Sequence, residues 1–218
     1  MNDTDNQKNF WENEFGTHYI ERNKTLSEIN EFYKQQTGIT QEEIFTNFFS
    51  GINRKYKILE IGCNIGLKLS ILKKMGFSNL VGLEVNKTAY EIARKNNPDV
   101  SFINSSVEEF KPNGEQFDLV YTSGVLIHIH PSSLDAIIKK IVNLTNEYIF
   151  GFEYYSDTLM EIPYRGHSNV CWKQNFPLLF KKLFPSLITI KEEKIRYKNK
   201  DLCDIAYLLR KVSPTSNE

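Results

Sequence analysis

The chain has 218 residues, of which 40% are hydrophobic and 25% charged, a composition typical of one soluble globular domain with room for a small subdomain. Its 27 Lys and Arg residues balance its 27 Asp and Glu residues, so a broad nucleic-acid surface, which needs a basic excess, is disfavoured. The sequence has no apolar run near the roughly 20 residues that cross a bilayer, which predicts no membrane span.

The cysteines and the N-terminal sequence bear on location. Cys63, Cys171 and Cys203 are odd in number, far apart and outside any C-x-x-C pair, which favours a reducing compartment. The spacing of Cys and His residues also predicts no metal site. The first residues, MNDTDNQKNFWENEF, are polar and acidic, unlike a signal peptide, so we expect a cytoplasmic protein.

The first part of the chain is predicted to be helical. Thr25, followed by Glu28 three residues later, is a capping-box pattern, and Gly38 is a stop signal for the same helix. Thr40 and Gly51 predict the limits of a second helix in the same way.

From residue 57 onward, short apolar runs alternate with helical stretches. The predicted strands are KILEIG (57–62), NLVGLEV (79–85), VSFI (100–103), FDLVYTS (117–123) and EYIFGFEY (147–154). The predicted helices lie near 66–75, 87–96, 106–110, 131–143 and 176–184. This alternation predicts an α/β fold, a Rossmann-like and mostly parallel sheet with helices on both faces. Two adjacent runs at the end, LITIKEEKIRY and LCDIAYLLRK, predict a terminal antiparallel hairpin.

A glycine turn follows the first strand. In ILEIGCNIGLKLS the pattern E-x-G-x-N-x-G runs through Glu60, Gly62, Asn64 and Gly66. Ligands of doubly wound sheets bind at this place, and glycine lets the backbone approach them. A dinucleotide fingerprint, G-x-G-x-x-G, would need glycine at positions 64 and 67, but Leu67 occupies the second, so NAD is disfavoured.

This turn resembles motif I of the class I S-adenosylmethionine-dependent methyltransferases. Three further blocks match that family in order: VGLEVN, whose Glu84 can accept hydrogen bonds from ribose hydroxyls, then FINSSVEEF at the adenine position, then FDLVYTSGVLIHI. The resemblance implies S-adenosylmethionine as cofactor and S-adenosylhomocysteine as product. The cofactor-binding residues that it implies are Glu60, Gly62, Cys63, Asn64, Gly66, Glu84, Val85, Ser105, Ser106, Val107, Thr122 and Ser123.

Three segments resemble a narrower family, the methylases associated with pseudaminic acid biosynthesis. They are FW-x-x-EFG-x-x-Y-x-x-RN near the N-terminus, GVLIHI-x-P after the fourth strand and EYY…EIPYRGH after the fifth. The resemblance implies methylation of N or O in a nonulosonic acid, a related amino sugar or its nucleotide-activated form, for bacterial surface glycans. The chain has KQNF at 173–176 where the family has KRDF, so another small metabolite stays open as acceptor.

An acceptor site is predicted in a loop at 153–175. Tyrosine faces pack on sugar rings, an Arg fork binds an anion, and an acid or a His can take a proton. The predicted substrate-binding residues are Tyr154, Tyr155, Tyr164, Arg165 and His167, and the predicted catalytic residues are His128, Glu153 and Glu161. Tyr19 and Arg22 are predicted to close over the cofactor, with Arg22 pairing with its carboxylate.

The sequence therefore predicts three segments: a helical cap or lid at 1–52, a methyltransferase domain at 53–212 and a disordered tail at 213–218. The expected partner is a small molecule. Nucleic-acid methylation is disfavoured, because TSGV stands where an N/D-P-P-Y/F block would lie. A non-catalytic subunit that binds the cofactor is the alternative from another class, and the oligomeric state stays open.

Overall fold

The structure is a computed structural model that describes residues 3–21, 25–198 and 201–212. The predicted lid residue Arg22 and the predicted tail at 213–218 lie outside the described residues. Among the residues it describes, no helix is long and apolar enough to cross a membrane. Within the same ranges no group of His, Cys, Asp and Glu side chains could hold a metal ion, and the three cysteines are free thiols.

The elements follow the predicted alternation of strands and helices. The helices are α1 (Asp3–Glu12), α2 (Glu14–Ile20), α3 (Leu26–Thr37), α4 (Gln41–Phe49), α5 (Leu67–Lys74), α6 (Lys87–Asn96), α7 (Pro131–Leu144) and α8 (Phe176–Leu183), with a 3₁₀ turn at Leu126–His128. The strands are β1 (Ile58–Ile61), β2 (Leu80–Glu84), β3 (Ser101–Asn104), β4 (Phe117–Ser123), β5 (Thr145–Tyr154), β6 (Met160–Glu161), β7 (Trp172–Lys173), β8 (Leu187–Arg196) and β9 (Cys203–Lys211).

Seven strands form one sheet in the order β3-β2-β1-β4-β5-β9-β8. The first five are mutually parallel, and β9 pairs antiparallel with both β5 and β8. The predicted Rossmann-like sheet with a terminal antiparallel hairpin is thus confirmed. The chain order reverses between β1 and β4, so the carboxyl ends of these two strands form the crevice in which such sheets bind ligands.

The capping signals of the first helices are confirmed, with one exception. In α3 and α4 the N-cap threonine and the glutamate three residues later exchange hydrogen bonds, and Gly38 ends α3 at φ 95°. However, α4 ends at Phe49, two residues before Gly51. The Arg54 guanidinium donates to the Phe49 carbonyl at 2.9 Å, so a side chain rather than a left-handed glycine satisfies this helix end.

Two other local predictions differ from the structure. The segment 106–110, predicted to be a helix, is one turn closed by a hydrogen bond from Phe110 N–H to the Ser106 carbonyl. Pro112 follows closely and disfavours helical geometry in the residue before it, so the turn does not propagate. The predicted loop at 153–175 contains the short antiparallel pair β6-β7.

Helices cover both faces of the sheet and hold its strands in place. On one face Phe45 and Phe49 of α4 pack on Phe150 at ring-centroid distances of 5.3 and 5.0 Å, and Ile138 of α7 is buried against the other face. Burying one such side chain contributes about 1.5–3 kcal/mol. Helix α4 lies before the predicted domain boundary at residue 53, and α7 lies after it. Both helices therefore pack on the same sheet.

Candidate functional site

Two adjoining cavities open at the carboxyl ends of β1, β2 and β4. The first, which we call the glycine-turn cavity, has a volume of about 180 Å³ and is lined by the turn after β1, the ends of β2 and β4, residues 105–108 and helices α1 and α2. The second, the tyrosine cavity, has a volume of about 140 Å³. Its lining includes Tyr19, Tyr33, Tyr154, Tyr164 and Tyr197 together with Gln41, Glu153 and Asp204.

The turn after β1 has a shape that requires glycine. Gly62 (φ 68°), Asn64 (φ 49°) and Gly66 (φ 80°) all lie in the left-handed region. A Cβ on Gly62 would lie 2.6 Å from Val125 Cγ2, and a Cβ on Gly66 would lie 2.9 Å from Asn97 Nδ2. The turn therefore brings backbone close to the cavity with no side chain in the way.

Two buried carboxyl groups line the glycine-turn cavity. Glu84 accepts hydrogen bonds from the backbone N–H groups of Asn64 (2.7 Å) and Asn86 (2.8 Å). Burial raises the pKa of Glu84, and these hydrogen bonds oppose the rise. Glu60 is 1% exposed, and its Oε2 has no hydrogen-bond partner in the described ranges. Burial raises the pKa of Glu60 to about 8, with the Lys68 ammonium opposing the rise. A ligand with positive charge would compensate both acids.

Most residues of the predicted cofactor site line this cavity. They are Tyr19, Glu60, Gly62, Cys63, Asn64, Glu84, Val85, Ser105, Ser106, Val107 and Ser123. Gly66 and Thr122 do not. Gly66 is the N-cap of α5 and shapes the turn from behind, whereas Thr122 is buried and its hydroxyl bonds to Glu153. The role of each residue toward a cofactor stays a prediction.

Helices α1 and α2 cover the glycine-turn cavity. Trp11 and Tyr19 line it, with their rings in edge contact at 5.3 Å. Asn86 ties this cover to the sheet, because its Nδ2 donates to the Glu12 carbonyl (3.0 Å) and the Thr17 hydroxyl (3.1 Å) while its Oδ1 caps α6. Tyr19 therefore lies over the cavity, and its closure on a ligand stays a prediction.

His128 lies where the two cavities meet. It lines both of them and packs between the rings of Trp11 (4.5 Å) and Tyr164 (4.8 Å). Its Nδ1 lies 2.8 Å from the Val170 carbonyl, which can only accept, so Nδ1 carries the proton and Nε2 is the basic atom. Burial lowers the pKa of His128 to about 4, so the ring is neutral at pH 7.

Glu153 lines the tyrosine cavity and also holds the loop after β4. Both carboxylate oxygens accept from the Val125 N–H, at 3.2 and 3.0 Å, and Oε2 lies 3.5 Å from the Ile127 N. Burial raises the pKa of Glu153 to about 7, and hydrogen bonds from Thr122 and these N–H groups oppose the rise. The geometry favours a positioning role for Glu153 over the proton transfer predicted from the sequence.

The predicted acceptor residues divide into two groups. Tyr154 and Tyr164 line the tyrosine cavity, but Tyr155, Glu161, Arg165 and His167 line neither cavity. The local structure accounts for the positions of Arg165 and Glu161. Residues 165 and 166, both at positive φ, form the tip of a tight turn, where Arg165 is exposed and its guanidinium lies 5.4 Å from the Tyr19 ring and 5.9 Å from the Tyr164 ring. Glu161 is exposed on β6 and accepts from the Asn169 N–H.

Several lining residues were not found from the sequence. Lys68 lines both cavities from α5, the helix after the glycine turn, and lies two residues beyond Gly66. Tyr33, Tyr197 and Asp204 meet in the tyrosine cavity from α3, the end of β8 and β9. The lone acid in the apolar run LCDIAYLL was the available signal for Asp204, because an unpaired charge is rarely buried without a function.

Known proteins that resemble the chain include methyltransferases. Residues 58–147, less than half of the chain, match the family model described as a methyltransferase domain. The magnesium protoporphyrin IX methyltransferase of Synechocystis PCC 6803, solved with bound S-adenosylmethionine, is similar in fold: the TM-score is 0.70 at 11% identity, over 97% of this chain and 98% of that chain. Residues 58–147 thus match a methyltransferase domain, and the chain shares the Rossmann-like fold of that methyltransferase.

Two curated relatives match a smaller part of the chain. The ubiquinone biosynthesis O-methyltransferase of Rickettsia canadensis is 27% identical over 58% of this chain and 59% of its own length. The malonyl-[acyl-carrier protein] O-methyltransferase 1 of Ilyobacter polytropus is 30% identical over 35% of this chain and 30% of its own length. The chain spans less than two thirds of the length of either relative, so the reaction and its acceptor are matters for proposal.

Proposed function

We propose that this chain transfers a methyl group from S-adenosylmethionine, bound in the glycine-turn cavity, to a nitrogen or oxygen atom of a small acceptor in the tyrosine cavity. The observation that carries the proposal is the junction of the cavities, which share Tyr19, Lys68, Ser123, Gly124 and His128. A donor and an acceptor on two sides of one opening can be aligned for in-line displacement, and alignment contributes much of the rate of such a transfer. Both curated relatives are named as O-methyltransferases, which supports the reaction class.

The residues of the glycine-turn cavity fit S-adenosylmethionine. The side chain of Glu84 stands at the end of β2, where a carboxylate can accept from both ribose hydroxyls. The segment from Ser105 to Val107 lies beside it and offers an edge for the adenine. The unpaired Oε2 of Glu60 can accept from the ammonium of the methionine end. A cationic ligand in this acidic cavity also lowers the cost of the buried carboxylates.

The chain's own residues orient the acceptor and take its proton. The cofactor, when bound, supplies an electrophilic methyl group on sulfur. His128 is neutral, and its Nε2 is available to accept a proton from an acceptor N–H or O–H at the junction. Glu153 holds the backbone at 125–127, which forms a wall of the junction. Trp11 and Tyr19 cover the site and exclude water.

For the acceptor we propose a nonulosonic acid of pseudaminic type or a related amino sugar, free or nucleotide-activated. The three sequence segments that resemble the pseudaminic acid-associated methylases support this choice. The tyrosine cavity supports it as well, since tyrosine faces pack on sugar rings and the carboxyls of Glu153 and Asp204 can accept from hydroxyl and amino groups. Arg165 lies outside the cavity, so an acid group of the acceptor would meet it only at the entrance.

The test combines binding with product mass. Calorimetry would measure the affinity of the full chain for S-adenosylmethionine, S-adenosylhomocysteine and NAD. We expect the first two to bind and NAD not to bind. The loaded chain would then meet free and CMP-activated nonulosonic acids and amino sugars, with a gain of one methyl group read by mass spectrometry. Cofactor binding without turnover on any sugar would reject the proposed sugar acceptor. It would favour a non-catalytic subunit that binds the cofactor, or another small metabolite as acceptor. Absence of cofactor binding would reject the whole proposal.

A further inference from the structure

The tyrosine cavity contains a buried carboxylate that is satisfied on one side only. Asp204 is 4% exposed, and the hydroxyls of Tyr33 (2.6 Å) and Tyr197 (3.1 Å) both donate to its Oδ2. The other oxygen, Oδ1, is buried and has no hydrogen-bond partner in the part of the chain that the structure describes. A buried carboxylate oxygen without a donor destabilises the protein. A ligand that donates a hydrogen bond to this oxygen removes that penalty and therefore binds more tightly.

The surroundings of Asp204 favour a cationic donor. The Tyr33 ring makes edge contacts with Phe152 (5.7 Å) and Tyr197 (5.9 Å), so aromatic rings form the walls around the acid. The Gln41 amide oxygen, which lines the same cavity, is also buried and unpaired among the described residues. An ammonium group offers three donors, neutralises the carboxylate and is attracted to aromatic faces. A neutral hydroxyl has one donor and no charge.

Asp204 stands apart from the place of methyl transfer. It lines the tyrosine cavity alone, whereas Tyr19, Ser123 and His128 line both cavities. In the proposed arrangement, a group held by Asp204 therefore lies away from the junction that faces the methyl donor.

Building on the proposed function, we propose that Asp204, with Tyr33 and Tyr197, forms a subsite that binds a protonated primary amine of the acceptor, separate from the atom that is methylated. The subsite selects amine-bearing acceptors and fixes their orientation. Two hydroxyls on Oδ2 keep the carboxylate oriented, and Oδ1 receives the amine. Burial raises the pKa of Asp204 to about 7, as expected for a carboxyl that needs a cation to ionise fully.

The experiment uses a matched pair of ring compounds, cyclohexylammonium and cyclohexanol, which differ in the donor group. Their affinities for the full chain, saturated with S-adenosylhomocysteine, would be measured by NMR titration at pH 7.5. The ammonium probe is expected to bind at least about 10-fold more tightly, and Asp204→Asn is expected to reduce this ratio to about one. Asp99→Asn, which changes a surface acid paired with Lys73, is the control and should keep the preference.

Further variants and controls separate the possible outcomes. Tyr33→Phe removes one donor from Oδ2 and should weaken the ammonium preference several-fold, which keeps a test available if Asp204→Asn does not fold. Equal affinities for the two probes, no binding of the ammonium probe, or a preference that survives Asp204→Asn would each overturn the subsite. Calorimetric binding of S-adenosylhomocysteine is measured on every sample. If the native chain does not bind S-adenosylhomocysteine, the proposed function itself is rejected. If it binds S-adenosylhomocysteine but shows no ammonium preference, only the subsite is rejected.

Discussion

The glycine-turn cavity and the tyrosine cavity are built from different parts of the chain. The first is lined by the turns that follow three neighbouring strands, β1, β2 and β4, by residues 105–108 and by the covering helices α1 and α2. The second takes side chains from α3, β5, the 3₁₀ turn, the end of β8 and β9. The first cavity is formed by segments that adjoin the parallel strands, whereas the second brings together side chains from distant parts of the chain, and function depends on such sites rather than on the fold. This difference suits a constant cofactor and a variable acceptor.

The largest expected effect concerns Asp204, which tests whether the tyrosine cavity holds a costly buried acid. The folded-state pKa, about 7, lies above the usual value of 3.8, so the native state binds the extra proton between these values. Stability from this group is present at low pH and is lost as the pH rises through about 7. Relative to Asp204→Asn, which stays neutral, the native chain should lose up to about 4 kcal/mol of unfolding free energy between pH 4 and pH 8.

Chemical denaturation of both proteins across this pH range would measure the difference. Glu153, which lines the same cavity, and the other buried acids are common to both chains, so their titration cancels in the comparison to first order. A stability difference that is constant with pH would contradict the account of Asp204.

The next effect concerns the backbone of the glycine turn. Gly62→Ala places a Cβ 2.6 Å from Val125 and strains a φ of 68°, so affinity for S-adenosylhomocysteine should fall about 10- to 100-fold. Gly114→Ala is the matched control, because Gly114 has φ 86° and open space around its Cβ position. Calorimetry on both variants checks the prediction. Equal losses would mean that backbone strain alone, and not the shape of the turn, weakens binding.

A smaller effect compares the two glutamates that the sequence proposed as proton acceptors. Glu153→Gln puts an amide N–H against backbone donors of the loop at 125–127, which should displace one wall of the junction. We expect turnover to fall about 10-fold, with about 1–2 kcal/mol of stability lost. Glu161→Gln changes an exposed side chain outside both cavities and should leave turnover within about two-fold. A larger loss in Glu161→Gln would restore it as a catalytic candidate.

The smallest expected effect is the absence of a His128 titration from the pH profile of the reaction. Because burial lowers the pKa of His128 to about 4, the ring stays neutral from pH 5 to pH 8 and can accept a proton throughout. The pKa values of Asp204 and Glu153 lie near 7, so an inflection of kcat/KM near neutral pH should belong to these acids and should persist in His128→Asn. An inflection there that disappears in His128→Asn would show that the ring is charged in the working range.

The glycine-turn cavity was easier to predict from the sequence than the tyrosine cavity, because its residues lie in a few short segments of the chain. The mostly parallel sheet with its terminal hairpin and the residues from Glu60 to Asn64 were predictable, because strands and turns are set by local pattern. Asp204 and Tyr33 are 171 positions apart and meet only through the sheet and α3, so no local pattern joins them. Arg165 was expected in the acceptor site by its chemistry. A two-residue turn directs it outward, and turn geometry was not readable from the residue types alone.

The central claim is that a methyl donor in the glycine-turn cavity presents its reactive end to the tyrosine cavity. A crystal structure of the full chain with S-adenosylhomocysteine tests this claim most directly. The account predicts the ribose on Glu84, the adenine beside Ser105 to Val107, and the sulfur at the junction between Ser123 and His128. A ligand with its sulfur directed away from His128, or an adenosine seated in the tyrosine cavity, would contradict it.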